Sequence, residues 1–156
     1  MVDNKNVDII AFETIPCLKE VKAILNLIKT RPGAKVWIAV SCKSATELNS
    51  GDSFAEFVDL VEKQDKAGQV EALGVNCSQP KFMTEMIKTI RSKSSRTIIC
   101  YPNNGGVYDA FATKWIDDDG SIGTPESFAK EAVNWTKHGA PIIIGGCCRT
   151  HFDWVK

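Results

Sequence analysis

The sequence lacks an excess of charge of either sign. Nineteen basic residues balance nineteen acidic residues over 156 positions, so the formal net charge is zero. Binding to nucleic acid or to a membrane surface usually requires a basic stripe or a strongly uneven charge. We therefore expect neither nucleic acid nor a membrane as a partner.

Long apolar runs and a secretory leader are also missing. No apolar stretch approaches the roughly 20 residues that a membrane-spanning helix needs. The first residues, MVDNKNVD, have neither the basic start nor the apolar stretch of a signal peptide. We expect a cytoplasmic protein, in which the six cysteines are reduced thiols or metal ligands rather than disulfides. The hydrophobic content of 44% suffices for one domain with a core.

Five short apolar runs divide the chain. They are nearly continuous in valine, isoleucine and alanine, as is typical of parallel strands that are covered on both faces. The five predicted strands are residues 8–13, 36–41, 72–77, 97–101 and 141–146.

Amphipathic segments lie between these runs and predict helices. The first two predicted helices cover residues 18–30 and 53–67, and Gly68 is the natural stop of the second. The third begins at Ser78 and Pro80, and the fourth runs from Thr124 and Pro125 to Gly139. Alternating strands and helices indicate right-handed βαβ units with a parallel sheet. Residues 102–123 are predicted to be irregular, and a loop of that length in a compact domain is often functional.

Two architectures fit this pattern, a doubly wound sheet and a (β/α)₈ barrel. A doubly wound sheet usually carries a glycine-rich phosphate loop, and neither G-x-G-x-x-G nor a P-loop occurs. In a barrel the chemistry lies at the carboxyl ends of the strands. The residues at or just beyond those ends are Glu13, Cys42, Cys77, Tyr101 and Cys147. We therefore favour an α/β fold that is part of a barrel, because a whole barrel typically takes about 250 residues.

Three cysteines are candidate ligands of one zinc ion. A catalytic zinc site has three protein ligands and one open position, and Cys77, Cys147 and Cys148 would provide three thiolates. Adjacent residues of a strand point to opposite faces, so the chain must leave extended geometry at Cys147 for both sulfurs to meet one metal. Gly145 and Gly146 tolerate such a change.

Packing is the alternative for every cysteine in this sequence. Free cysteine is among the most buried residue types, and we expect Cys17, Cys42 and Cys100 to pack without a chemical role. On spacing alone the same interpretation stays open for the three candidate ligands, because no C-x-x-C pair of the kind found in structural zinc sites is present.

Four segments together resemble the homocysteine S-methyltransferase family, whose members use S-methylmethionine or S-adenosylmethionine as the methyl donor. The segments are AFETIP (11–16), GVNCSQP (74–80), YPNNGGVYD (101–109) and GGCCRT (145–150). The similarity extends over nearly the whole chain in the same order. GVNC with GGCC is specific to this family, whereas AFETIP alone is a weak signal.

The resemblance implies a (β/α)₈ barrel in which Cys77, Cys147 and Cys148 bind zinc. It also implies that Glu13, in the F-E-T motif, contacts the amino group of homocysteine. A homocysteine thiolate that zinc activates would then attack the methyl group of a sulfonium donor and give methionine. Without the resemblance, Glu13 would be interpreted as a solvated or capping carboxylate.

Three further residues occupy matching positions of the family motifs. By resemblance, Asn76, Tyr101 and Asn103 shape the substrate pocket. A turn amide and a packed ring are the structural alternatives for these residues. The sequence does not decide between the two sulfonium donors.

The resemblance further implies that residues 1–156 form a single truncated homocysteine-binding domain, equivalent to strands 4–8 of the family barrel. The D-G-G motif of the family's first strand does not occur. The alternative function is therefore a non-catalytic remnant that binds zinc or pairs with a full-length relative, or with itself, through open sheet edges. A third option is a redox or metal-handling protein that uses Cys147 and Cys148.

Overall fold

A computed structural model describes residues 6–109, 111–116 and 123–155. Five strands form a parallel sheet and two more form a separate antiparallel pair within these ranges. In chain order the strands are β1 (Ile10–Ile15), β2 (Val36–Val40), β3 (Val70–Asn76), β4 (Thr97–Tyr101), β5 (Val107–Asp109), β6 (Lys114–Ile116) and β7 (Ile142–Ile144). The order in the larger sheet is β1-β2-β3-β4-β7.

Helices connect the parallel strands. They are α1 (Leu18–Lys29), α2 (Phe54–Gln64), α3 (Met83–Lys93) and α4 (Pro125–Gly139), with short 3₁₀ helices at Pro80–Phe82 and Phe152–Val155. Strands that alternate with helices over a parallel sheet confirm the predicted α/β class. Across the described ranges, no helix combines the length and the apolar character that crossing a bilayer requires.

One face of the sheet carries the main hydrophobic core. Large apolar side chains of the strands pack there against the apolar stripes of the helices, and each fully buried side chain of this kind stabilises the fold by roughly 1.5–3 kcal/mol. Fully buried members include Ile38, Val40, Leu73, Ile98, Leu25, Phe57, Met86 and Trp135.

The opposite face, which we call the inner face, has a much smaller cluster. Ala39, Ala72 and Ile99 are buried there, and Trp37 and Tyr101 pack against them. Two of its three buried side chains are alanines, so the inner face buries much less apolar surface than the main core. Its borders are open in the described structure: Glu13 on β1 is exposed, and Ile143 on β7 is 49% exposed.

Helix α2 ends earlier than the sequence predicts. The expected stop was Gly68, but the helix ends at Gln64 because the next residue turns the chain. The carboxylate of Asp65 accepts hydrogen bonds from the backbone N–H groups of Gln69 at 3.0 Å and Val70 at 2.8 Å. Arg96 binds the same carboxylate at 2.9 Å. These bonds satisfy buried polar groups and fix the entry into β3.

The sequence predicted an irregular segment over residues 102–123, but part of this segment is regular. Residues 110 and 117–122 lie outside the described ranges. Strands β5 and β6 pair as an antiparallel hairpin, with Tyr108 directly opposite Trp115. At the other end of the chain, β7 stops at Ile144, so the prediction of a strand as far as residue 146 is wrong by two residues. The prediction for β4, residues 97–101, is confirmed.

Candidate metal centre

Three sulfur atoms meet at the carboxyl end of the parallel sheet. Cys77 lies one residue beyond β3, whereas Cys147 and Cys148 lie just beyond β7. The Sγ atom of Cys77 is 3.1 Å from that of Cys147 and 3.5 Å from that of Cys148. All three sulfurs lie within 4.8 Å of one another. The structure therefore brings together the three cysteines that were predicted to form one site.

The spacing of these sulfurs fits a tetrahedral metal ion. A zinc–sulfur bond of about 2.3 Å places tetrahedral sulfurs about 3.8 Å apart. The Cys77–Cys147 and Cys77–Cys148 separations are smaller than this by about 0.7 Å and about 0.3 Å, so the cluster must expand by less than 1 Å to bind the metal. Three thiolates form a soft donor set that suits zinc and leaves a fourth position open.

The backbone at Cys77 leaves the strand in an unusual conformation. Its φ angle of 51° lies in the left-handed region, which residues with a β-carbon seldom adopt. The Cys77 N–H donates to the carbonyl oxygen of Tyr101 at 3.3 Å, which ties the turn to the end of β4. Residues in such conformations cluster at functional sites, where the surrounding structure holds them.

The loop that carries the paired cysteines is bonded to the segment after β4. The Cys147 N–H donates to the carbonyl oxygen of Pro102 at 2.8 Å, and the Asn104 N–H donates to that of Cys148 at 3.0 Å. A β-carbon added to Gly146 would overlap the side chain of Thr150. This contact supports the prediction that glycine is needed where the chain departs from the strand.

Hydrogen bonds between the sulfurs shift the pKa values of Cys77 and Cys147 in opposite directions. The hydrogen bond from Cys77 lowers the pKa of Cys147 to about 6. The same hydrogen bond raises the pKa of Cys77 well above its usual range, and burial adds to the increase. Cys147 is therefore the more acidic of these two thiols in the metal-free cluster. A metal ion that binds all three sulfurs as thiolates must displace the protons that they carry.

A cavity of about 480 Å³ opens beside the sulfurs. Cys77 and Cys148 form part of its wall, together with Asn103 and the aromatic residues Tyr108 and Trp115. A cavity of this volume is in the normal range for small-molecule sites. The open side of the cluster therefore faces a space that can hold a substrate.

Glu13 and Tyr101 lie on the inner face of the sheet. Neither residue lines the cavity described above. Burial raises the pKa of the Tyr101 hydroxyl, and the nearby carboxylate of Glu13 raises it further. The two predicted substrate residues are therefore neighbours on the inner face. Glu13 is exposed, whereas the Tyr101 hydroxyl is buried and has no hydrogen-bond partner among the described residues.

Asn76, at the end of β3, uses its amide to hold the end of β1, two strands away in the sheet. The side chain is buried, its Oδ1 accepts from the Thr14 N–H at 2.8 Å, and its Nδ2 donates to the Thr14 Oγ1 at 2.9 Å. Thr14 has a φ angle of 59°, so this pair of bonds stabilises a left-handed residue next to Glu13. The sequence analysis missed Thr14, although it lies in the quoted AFETIP segment.

Substitution of Asn76 by alanine is expected to lower the free energy of unfolding by about 1–3 kcal/mol. The change leaves the Thr14 N–H without its partner in a partly buried site. Urea denaturation followed by circular dichroism measures the loss. Asn134→Ala is the matched control, because its amide makes only a long 3.5 Å contact with Thr84. Equal stabilities of the two variants would contradict this role.

Asn103 presents an unpaired oxygen at the cavity. Its side chain is 7% exposed and lines the cavity, and its Oδ1 has no hydrogen-bond partner among the described residues. The Asn103 N–H donates to the carbonyl oxygen of Ser78 at 3.0 Å, which fixes the backbone. A buried acceptor without a partner is costly, and a ligand with an N–H group would satisfy it.

The remaining cysteines lie outside the cluster. Cys42 and Cys100 are buried in the main core, which confirms that they pack. Burial raises the pKa of Cys42 to about 12 and also raises the pKa of Cys100. Cys17 is half-buried at the start of α1, with its Sγ atom 3.7 Å from a Glu20 oxygen.

These differences predict a pattern of thiol alkylation at pH 8. With metal bound, iodoacetamide should modify Cys17, while Cys42 and Cys100 stay unmodified because they are buried and burial raises the pKa of both thiols. Removal of the metal should expose Cys147 and Cys148 to the reagent, whereas Cys77 should react more slowly because its pKa is raised, and denaturation should expose all six cysteines. Peptide mass spectrometry identifies the sites. Failure of metal to protect any thiol would contradict the proposed ligand set.

The fold and the cluster define a class of protein. It is an α/β protein with three convergent thiols at the carboxyl end of a parallel sheet, a group that can hold a metal ion. The particular family follows from sequence comparison. The family model for homocysteine S-methyltransferase matches residues 1–156, and the chain belongs to that family.

Curated relatives and a solved structure agree with this assignment. Homocysteine S-methyltransferase YbgG of Bacillus subtilis is 37% identical over 143 residues, which are 92% of this chain and 43% of the relative. Homocysteine S-methyltransferase 4 of Zea mays is 37% identical over 145 residues, 92% of this chain and 41% of the relative. The metallated form of the homocysteine methyltransferase MmuM from Escherichia coli matches with a TM-score of 0.73 and 25% identity, over 96% of this chain and 43% of that one. The chain thus spans less than half the length of these proteins.

Proposed function

We propose that this chain carries the metal centre of a homocysteine S-methyltransferase, with methionine as the product. The methyl donor is a sulfonium compound, S-methylmethionine or S-adenosylmethionine. One observation carries the proposal: in a member of this family, three thiols from distant segments converge beside a cavity. We further propose that residues 1–156 belong to one homocysteine-binding domain, and that it acts in the cytoplasm, where thiols stay reduced.

Cys77, Cys147 and Cys148 would hold zinc in this proposal. Zinc, when bound, supplies a Lewis acid that keeps the sulfur of homocysteine deprotonated at neutral pH. Cys77 and Cys148 border the cavity, in which the substrate sulfur would be held. The carboxylate of Glu13 pairs with the ammonium group of homocysteine, and Tyr101 lies beside that carboxylate.

The proposed methyl transfer is a direct displacement at the methyl carbon of the donor. The sulfur of homocysteine forms a bond to the methyl carbon as the bond from that carbon to the donor sulfur breaks, and the bonding pair stays on the donor as a neutral thioether. The thiol proton leaves to solvent when homocysteine binds. The Asn103 Oδ1 accepts an N–H group of the bound substrate. The contribution of the protein is mainly to position the two sulfurs.

Zinc content and turnover together test this function. The purified chain is incubated with homocysteine and S-methylmethionine, and methionine is measured per bound zinc. Turnover that Cys148→Ala abolishes and Cys17→Ser leaves unchanged supports the proposal. A chain that retains no zinc, or whose turnover survives Cys148→Ala, contradicts it.

A metal-binding chain without turnover is the second candidate. One observation favours it: the borders of the inner face are open in the described residues. Strands from a second copy or from a full-length relative could pair with these borders and close a barrel around the inner face. Bound zinc without methionine formation, together with a complex of higher mass when the relative is added, would favour this candidate.

A further inference from the structure

The β5–β6 hairpin adds an aromatic wall to the cavity. Tyr108 and Trp115 face each other across the two strands, with ring centroids 5.4 Å apart and planes at 57°. Both residues line the cavity that contains Cys77 and Cys148. The wall and two of the three sulfurs therefore border the same space.

Core packing does not explain these two rings. Neither Tyr108 nor Trp115 belongs to the clusters of buried residues on the two faces of the parallel sheet, and Tyr108 is 51% exposed. Exposed aromatic rings beside a cavity are a common feature of ligand-binding sites. The pair is therefore available to a ligand.

The loop of the paired cysteines holds the wall in place. The guanidinium of Arg149, the residue after Cys148, lies 5.5 Å from the Trp115 ring centroid. The Asn104 Nδ2 donates to the carbonyl oxygen of Arg149 at 3.0 Å. A β-carbon on Gly106 would come within 3.0 Å of Arg149 Nη1, so the hairpin approaches this loop closely. Arg149 does not line the cavity, so it braces Trp115 from outside that space.

We propose that Tyr108 and Trp115 form the binding subsite for the sulfonium group of the methyl donor. This inference rests on the proposed function and names the residues that recognise its second substrate. Aromatic faces attract onium cations through the ring quadrupole, as they do quaternary ammonium ligands. A donor seated on the wall has its methyl group on the side of the cavity that holds the sulfurs.

A basic side chain in the cavity complements the carboxylate of an amino-acid methyl donor. Lys43 lines the same cavity, and its Nζ lies 3.8 Å from Glu47 in an exposed ion pair. An exposed pair of this kind is weak, so the ammonium of Lys43 can also bind the carboxylate of the donor. The sulfonium becomes a neutral thioether when the methyl group leaves. The wall therefore binds the donor more tightly than the product and favours product release.

Comparison of the sulfonium donor with an uncharged molecule of the same shape tests whether the aromatic wall recognises the positive charge of the donor. In 2-amino-5-methylhexanoic acid, a carbon replaces the sulfonium sulfur of S-methylmethionine. Calorimetric titration of the zinc-loaded 156-residue chain should show about tenfold tighter binding of S-methylmethionine than of this isostere. Trp115→Leu should abolish the preference, and Trp115→Phe should retain part of it. Phe111→Leu is the control, because Phe111 is on the same hairpin but is fully exposed and outside the cavity lining.

Homocysteine binding and zinc content are measured on the same variants. Both should stay within twofold of the unchanged chain in Trp115→Leu. A preference that survives Trp115→Leu, or a parallel loss of zinc, overturns the aromatic subsite. If the unchanged chain binds zinc and homocysteine but does not prefer the sulfonium, the subsite is wrong while the proposed thiol chemistry stands. If it binds neither zinc nor homocysteine, the proposed function fails and the subsite fails with it.

Discussion

Replacing Cys77 by alanine is expected to weaken zinc binding by more than about 100-fold. Changes to residues that only support metal ligands already cost 10–100-fold, and Cys77 is proposed as a ligand itself. Its sulfur lies within hydrogen-bonding distance of both other thiols, and no fourth histidine, cysteine or carboxylate joins the cluster within the described ranges. The two remaining sulfurs cannot complete the site.

Competition with a chromophoric chelator measures this affinity. Cys17→Ser is the matched control, because Cys17 is also a partly exposed thiol at the end of a strand–helix connection but lies outside the cluster. The control should bind zinc as tightly as the unchanged chain. A Cys77→Ala variant with an affinity within fivefold of the control would show that this residue is not a ligand.

The substitution Gly74→Ala is expected to destabilise the fold by about 3 kcal/mol or more. Gly74 pairs with Ile99 across β3 and β4, and a β-carbon at this position would overlap the carbonyl oxygen of Ile99. The overlap involves backbone, which cannot rotate away as a side chain can. Because β3 also positions Cys77, the zinc affinity should fall together with the stability.

Urea denaturation followed by circular dichroism measures the free energy of unfolding of this variant. Gly123→Ala is the control, because a β-carbon there meets no atom within 4 Å. The control should change the stability by less than about 1 kcal/mol. A Gly74→Ala variant that is as stable as Gly123→Ala would contradict the close approach of β3 and β4.

Much of the fold could be predicted from the sequence because burial leaves a clear pattern. β4 is a continuous apolar run and has the predicted bounds, residues 97–101. The stripe of α1 is buried as expected, and Thr124 caps α4 in a capping box with Ser127. In each of these cases the local preference and the tertiary packing favour the same structure.

Other features depend on contacts that are distant in the sequence. The β5–β6 hairpin consists of three-residue strands, too short for a periodic signal, and its register places Tyr108 against Trp115. Helix α2 ends at Gln64, where Asp65 turns the chain and its carboxylate binds Arg96, 31 residues away. The prediction that the helix stops at Gly68 used only the neighbouring sequence, so it could not take the contact with Arg96 into account.

The candidate site was predictable in its ligands but not in its supporting contacts. The resemblance named the three cysteines, and the structure brings them together. It also named Asn76 as a pocket residue, whereas the structure commits its amide to Thr14. A motif records which residues recur, and only coordinates show which partner each side chain uses. A direct contact of Glu13, Tyr101 or Asn103 with substrate stays a prediction.

X-ray absorption at the zinc edge counts the sulfur ligands of the proposed metal site. In the zinc-loaded chain, we expect three sulfur neighbours at about 2.3 Å and a fourth sulfur when homocysteine is added. Cys77→Ser should reduce the count in the absence of homocysteine to two. A spectrum with two or fewer sulfurs in the unchanged chain, or one that Cys77→Ser does not alter, would contradict the convergence of Cys77, Cys147 and Cys148 on one metal ion.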